Sequence, residues 1–275
     1  MKLENDVKME DFVEFFGKTR EELLKPREQI SDDEWKRKVF RNADSLSREA
    51  LHSLYKDTDY YLMDSREVGG SYFSHIFSEP LVHLVFQFPL KMYPQKNCKI
   101  LEWGCGTGRI GLKLALLGYD VTLADIPHPH FHFIKLLCEK YLIPQGFKIN
   151  FIPITVNELV LTDMYDYIIC REVLEHVADV EPVLDHLVSH LRYKNWMFLS
   201  YFFDDMQGHD PSHLHRNTLK YNNPEKFLGI LVRRKLIPMV RNEAGTEKVF
   251  QKLSGSLDEI LLLEEERKER EAKKC

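Results

Sequence analysis

The chain has 275 residues, of which 44% are hydrophobic and 29% charged, and its formal net charge is −5. That apolar share supports a sizeable core and excludes a wholly disordered chain. The mild acidity gives no whole-chain basic field for nucleic acid, and no apolar run reaches the ~18 residues that span a bilayer.

The five cysteines (Cys98, Cys105, Cys138, Cys170 and Cys275) form no C-x-x-C pair and are odd in number. This argues against a disulfide framework and against a zinc ribbon. The first residues carry no apolar leader, so the expected setting is a reducing cytoplasm, with no membrane partner.

In chain order, residues 1–95 read as a helical cover or lid. Thr19 to Glu22 and Ser31 to Glu34 have capping-box spacing. Aromatics then gather at Tyr55, Tyr60, Tyr61, Tyr72, Phe73, Phe77, Phe86 and Phe88. Residues 96–253 read as the core. Strands are expected at Lys99–Trp103, Asp120–Ala124, Phe147–Pro153, Tyr165–Cys170 and Trp196–Phe203, with helices at Arg109–Leu117 and His130–Tyr141 and another begun at Pro182. A helix opens at Asn223-Pro224, and Ile237–Arg241 with Lys248–Leu253 suggests a closing antiparallel hairpin. Residues 254–275 read as a charged, solvated helix. Strand–helix alternation with short links implies an α/β fold, a doubly wound and mainly parallel seven-stranded sheet with an N-terminal helical extension.

The strongest local signal is Glu102-Trp103-Gly104-Cys105-Gly106-Thr107-Gly108, between a strand and a helix. Glycines on alternate residues allow positive φ and leave the backbone open to a ligand. The dinucleotide fingerprint would need glycine where Arg109 stands, and the P-loop lysine is absent. Asp125 ends the next strand, 17 residues past Gly108, where a carboxylate can accept both hydroxyls of a ribose.

With these pieces in place the sequence resembles the class I S-adenosylmethionine-dependent methyltransferases. The resemblance rests on Ile100–Gly108, Val121–Asp125, Tyr165–Cys170 and Val173-Leu174-Glu175-His176-Val177. It implies a Rossmann-like methyltransferase fold and S-adenosylmethionine as cofactor. It further implies that Gly104, Cys105, Gly106 and Gly108 line the methionine part of the cofactor. Glu102 would orient the loop or the cofactor ammonium, and Asp125 would hold the ribose with Ile126 against the adenine. Asn157 would stand in for an acid facing the adenine amine, and Cys170 would offer its carbonyl to the cofactor amino group. Tyr193-Lys194-Asn195 replaces the family's Pro-Gly-Gly, which puts the shape of that turn in question.

Glu172, Glu175 and His176 form E-x-x-E-H, positions that share one face if they lie on a helical turn. His213, or His209, could complete a divalent-metal site with them. The stretch is similar to metal-dependent small-RNA 2′-O-methyltransferases and to ubiquinone-pathway O-methyltransferases. Metal-free methyltransferases carry a comparable Leu-Glu-His-Val stretch, so a structural role competes with the metal. His213 or His176 alone can act as general base. The dense run His128, His130, His132 follows Asp125, and helical register would scatter its side chains.

The expected function is methyl transfer to a small molecule, at a hydroxyl oxygen. An RNA or peptide methyltransferase and a non-catalytic binding subunit are the alternatives. Nucleic acid is disfavoured by the charge, although Arg216, Lys220, Arg233, Arg234 and Lys235 offer a local basic patch.

Overall fold

Apolar runs with no polar alternation build the centre of this fold. Such strands are covered on both faces, as in α/β sheets. The computed structural model describes residues 8–21, 37–57, 76, 81, 83–155, 161–200, 213–221, 223–241 and 247–254. In chain order these give α1 (Met9–Phe16), α2 (Arg48–Asp57), α3 (Leu84–Met92), β1 (Lys99–Trp103), α4 (Arg109–Leu116), β2 (Asp120–Asp125), α5 (Pro129–Leu137) and β3 (Ile149–Pro153). There follow β4 (Tyr165–Arg171), α6 (Val180–His190), β5 (Leu191–Ser200), α7 (His215–Tyr221), α8 (Pro224–Arg233), β6 (Leu236–Arg241) and β7 (Glu247–Lys252). The sheet is seven-stranded, in the order β3-β2-β1-β4-β5-β7-β6. Parallel pairing joins β1 to β2, β2 to β3 and β4 to β5, and β7 runs antiparallel to both β5 and β6. The doubly wound architecture read from the sequence is therefore present.

The chain divides into two compact units, one on residues 1–160 and the other on most of the chain from Leu161. In the first, Ile100, Leu101, Val121 and Leu123 are fully buried in β1 and β2, under Leu112, Leu114 and Ala115 of α4. The sequence did not mark α1, yet α1 is firmly anchored in this unit. Phe12 is buried with its ring centroid 4.5 Å from that of Phe133 on α5, and Phe15 and Phe16 flank the same ring at 5.1 Å. Asp11 is also buried. It accepts hydrogen bonds from Lys140 Nζ at 2.6 Å, the Tyr141 hydroxyl at 2.8 Å and the Lys8 N–H at 2.8 Å. Burial pushes the Asp11 carboxyl up, but these donors outweigh it and hold it below the usual carboxylate range. Gly17, at φ 60°, ends α1 in the left-handed region.

In the second unit, Ile168, Ile169, Met197, Phe198 and Leu199 of β4 and β5 are fully buried, as are Leu184 and Leu187 of α6, Phe227 and Leu231 of α8, and Phe250 of β7. Lys252 is buried, its Nζ donating at 2.6 Å to the carbonyls of Val188 and Leu191 where α6 ends. A cation satisfies the unpaired carbonyls of a helix C-terminus.

Several boundaries move. The third strand starts at Ile149 rather than Phe147, because Gly146 turns the chain at φ 91°. The fifth begins at Leu191 but is broken. Leu191 pairs with Tyr165 and Trp196 with Tyr167, so the intervening residues bulge, with Lys194 at φ 63°. The Tyr193-Lys194-Asn195 turn is thus made without glycine. The helix after Asp125 passes at Cys138–Leu142 into a wider π-helical turn before Pro144. Arg20 and Glu21 are helical, while Ser31–Glu34, the aromatics Tyr60, Tyr61, Tyr72, Phe73 and Phe77, and residues 255–275 of the expected C-terminal helix lie outside the described residues.

Candidate functional site

The glycine loop follows β1, and its shape is set by bonds to β2. Gly104, Gly106 and Gly108 have φ of 71°, 52° and 68°, conformations that a side chain would strain. The N–H groups of Gly104 and Cys105 donate to the carbonyl of Ala124 at 2.8 and 3.2 Å. The Gly106 N–H donates to Asp125 Oδ2 at 2.5 Å, and the Ile126 N–H to Asp125 Oδ1 at 2.7 Å. Asp125 is 7% exposed, so its charge is held by backbone donors rather than by water. Each carboxylate oxygen retains lone-pair capacity for a ribose hydroxyl.

Glu102, also buried, accepts the Gly111 N–H at 2.8 Å. It ties the strand to the first turn of α4. The Cys105 thiol is buried; burial, then the Asp125 and Glu102 carboxylates, push it well above its ordinary range, so it stays protonated. Ile126 is half-buried at the end of β2. Asn157 lies outside the described residues.

The histidine run after Asp125 separates only in part, because the His128 and His130 rings stack with centroids 6.3 Å apart. His128 caps α5, its Nδ1 accepting the Phe131 N–H at 3.1 Å, while its Nε2 stands 3.9 Å from Asp125 Oδ2. His130 is buried, and its pKa is lowered to about 3 by burial and then by His128, which keeps it neutral. His132 is exposed.

The carboxylate–histidine cluster forms in the second unit from three of its four expected members. Glu175, His176 and His213 bring their ligand atoms within 4.8 Å of one another. His213 Nε2 is 4.0 Å from Glu175 Oε1, and the His176 and His213 ring centroids are 4.9 Å apart. Glu175 is fully buried. Together with Cys170's own burial, it pushes the thiol of Cys170, near the end of β4, upward. Metal-bound atoms each about 2.1 Å from an ion stand about 3 to 3.5 Å apart. The cluster therefore needs a contraction of about 1.5 Å to close on a cation. A buried carboxylate with two imidazoles is a donor set that fits a divalent metal.

Glu172 does not join this cluster, contrary to the expected set. Residues 172–176 form a bend and turns rather than a helix, so the spacing that would align Glu172 with Glu175 is lost. Glu172 sits at φ 52° and its N–H donates to the Ser200 carbonyl at 2.8 Å. Its carboxylate is exposed and pairs with Arg171 at 3.0 Å. His209 lies outside the described residues.

Asn217 on α7 is a residue that sequence reasoning missed. It is buried, and its Nδ2 donates to the Val177 carbonyl at 2.8 Å and to those of Leu174 and Glu175 at 3.3 Å. The basic patch is partly neutralised. Lys220 pairs with Glu181 at 3.2 Å, and Arg234 with Glu181 at 3.3 Å and Asp185 at 2.7 Å.

The chain is 37% identical over 94 residues to the ubiquinone biosynthesis O-methyltransferase of Rickettsia prowazekii (strain Madrid E), covering 34% of this chain and 36% of that protein. The chain thus spans little more than a third of that relative's length. Among solved structures, TehB from Haemophilus influenzae matches with 21% identity and a TM-score of 0.46, over 66% of each chain. Magnesium protoporphyrin IX methyltransferase from Synechocystis PCC 6803, with bound SAH, matches with 16% identity and a TM-score of 0.48, over 73% of this chain and 97% of that one. The model of a family described as a methyltransferase domain extends over residues 72–242, well beyond half of this sequence, and the chain belongs to that family.

Proposed function

We propose that this chain uses S-adenosylmethionine to methylate a hydroxyl oxygen of a small molecule. The observation that carries the reading is the clasp between Gly106 and Asp125. A loop of three left-handed glycines is held open by the carboxylate suited to a ribose. Both clusters lie beyond the carboxyl ends of their own strands, the side on which ligands of doubly wound sheets bind. When bound, the cofactor supplies a sulfonium methyl that is already electrophilic. The residues of the chain then have to hold the reactants in line and take up the acceptor proton.

Without a metal, His213 is the base in this proposal; with one bound, it is a ligand instead and the ion acidifies the hydroxyl. Glu175 is a buried carboxylate whose Oε1 stands 4.0 Å from His213 Nε2. Glu175, His176 and His213 would hold a divalent ion, which lowers the pKa of a hydroxyl. The O-methyltransferase name of the Rickettsia relative supports an oxygen acceptor. The pairing of Lys220 and Arg234 with acids leaves less basic surface for RNA. Residues 1–95 serve as a cover, a role supported by the anchoring of α1 on Phe133 and Lys140. The reducing cytoplasm remains part of the reading, and Cys98, Cys105, Cys138 and Cys170 are buried free thiols. No helix among the described residues is long and apolar enough to cross a membrane.

Calorimetric titration with S-adenosylmethionine tests the core of the proposal. Asp125→Ala should weaken binding about 10- to 100-fold, since bonds to a charged group are worth about 1.5–3 kcal/mol. No binding at millimolar cofactor by a folded protein would end the proposal. Activity that survives both chelation and Glu175→Ala would remove the metal and the Glu175 carboxylate from the reaction.

A further inference from the structure

We infer that Asn217 is the positioning residue of the Glu175–His176–His213 cluster, a role that rests on the metal reading above. The three ligand residues sit on two separated segments, 175–176 and 213, each short and irregular. Nothing in a turn or a bend holds side chains in register unaided, because such segments lack a repeating hydrogen-bond ladder.

Asn217 supplies that restraint. A single amide nitrogen draws the carbonyls of Leu174, Glu175 and Val177 toward one point, at 3.3, 3.3 and 2.8 Å. The first two carbonyls belong to the peptide planes on either side of Glu175 and the third to the plane after Val177, so the turn that carries Glu175 and His176 is held before and after both side chains. The second segment is bound to the first by one more bond. The Leu214 N–H, directly after His213, donates to the Glu175 carbonyl at 3.0 Å. Leu214 in turn accepts the N–H groups of Asn217 and Thr218 at 2.9 and 3.2 Å. His213, Asn217 and the Glu175–His176 turn therefore form one bracket, closed through α7.

Asn217 touches no reacting atom in this account, and it acts by fixing the backbone beneath the ligands. The amide is needed for its two hydrogens: leucine matches its size but donates nothing, and aspartate offers oxygens to carbonyls that repel them. Removing an outer partner of a metal site typically lowers affinity by about 10- to 100-fold.

The test uses the full chain and Co(II), followed by its visible absorption band, with S-adenosylmethionine calorimetry on the same samples. Cofactor binding depends on Asp125 and the glycine loop, and so reports on the native fold independently of the cluster. The expected result is Co(II) affinity lowered about 10- to 100-fold with an altered band in Asn217→Leu and Asn217→Asp, while the cofactor Kd stays within threefold. Equal Co(II) affinity and an unchanged band in either variant overturn the inference. Loss of cofactor and Co(II) binding together in both variants also overturns it, because Asn217 then supports the fold as a whole. Absence of Glu175-dependent Co(II) binding in the unmodified protein removes the metal reading itself, a failure that the Asn217 variants cannot mimic.

Discussion

Replacing Gly111 with alanine sets two physical expectations against each other. Helix propensity alone says that alanine in α4 stabilises by about 1 kcal/mol. The tertiary surroundings reverse the sign. A methyl group at 111 would stand 2.7 Å from Glu102 Oε2 and 3.1 Å from Val121 Cγ1, and would meet the Leu123 side chain more closely still. Val121 and Leu123 are fully buried in β2 and have no open space to move into. Overpacking of this kind costs about 1–3 kcal/mol. Displacing Glu102 also breaks its 2.8 Å bond to the Gly111 N–H and strands a buried carboxylate, for about 1.5–3 kcal/mol more.

Set against the propensity gain, the net loss is about 1.5–5 kcal/mol, or roughly 3–20 °C in Tm for a domain of this size. Urea unfolding followed by circular dichroism measures it, with cofactor calorimetry alongside. The clash should be partly relieved in the Glu102→Ala, Gly111→Ala double variant, a non-additivity that identifies the carboxylate as the obstacle. A Gly111→Ala protein as stable as the unmodified one would refute the packing argument.

Two further predictions concern the histidines beside Asp125. His128→Ala removes the cap of α5 and should cost about 1 kcal/mol, whereas His128→Asn keeps an N-cap acceptor and should recover most of it. Equal losses in urea unfolding would mean that the Nδ1 bond to Phe131 is not what His128 contributes. His130 makes stability depend on pH. Its folded pKa is lowered from 6.5 to about 3, so below about 6.5 the unfolded chain takes up a proton that the folded chain refuses. Stability is complete above that pH and falls as the pH drops toward about 3, with a loss of about 2 kcal/mol at pH 5. His130→Gln should flatten the difference between pH 7 and pH 5, and an unaltered difference would show that other groups carry it.

Much of the fold was legible because its signals are local. Lys99–Trp103 is a short apolar run ended by glycines, and it is β1 with the boundaries read from sequence. Asp125 ends β2 as expected, and Gly118 closes the helix before it at φ 96°. The bond from Gly106 to Asp125 links two motifs recognisable without coordinates. Glu172 was misplaced because the E-x-x-E-H spacing assumes a helix, and the chain instead turns at φ 52°. Asn217 left no pattern, because its partners lie about forty residues earlier in the chain. The N-terminal region was read as helical, but where α1 docks was not legible, because it depends on Phe133 and Lys140, more than a hundred residues away.

Local sequence was enough to specify the order of strands and helices in the core, the glycine loop and the acid that answers it. These follow from hydrophobic periodicity and from the few residues able to adopt a left-handed turn. Which side chains meet was settled by the packing of the folded chain. It separated Glu172 from Glu175, set Asn217 under the histidines and packed Glu102 so close to Gly111 that glycine is required there. Such meetings depend on distances between segments remote along the chain, and no local period encodes them.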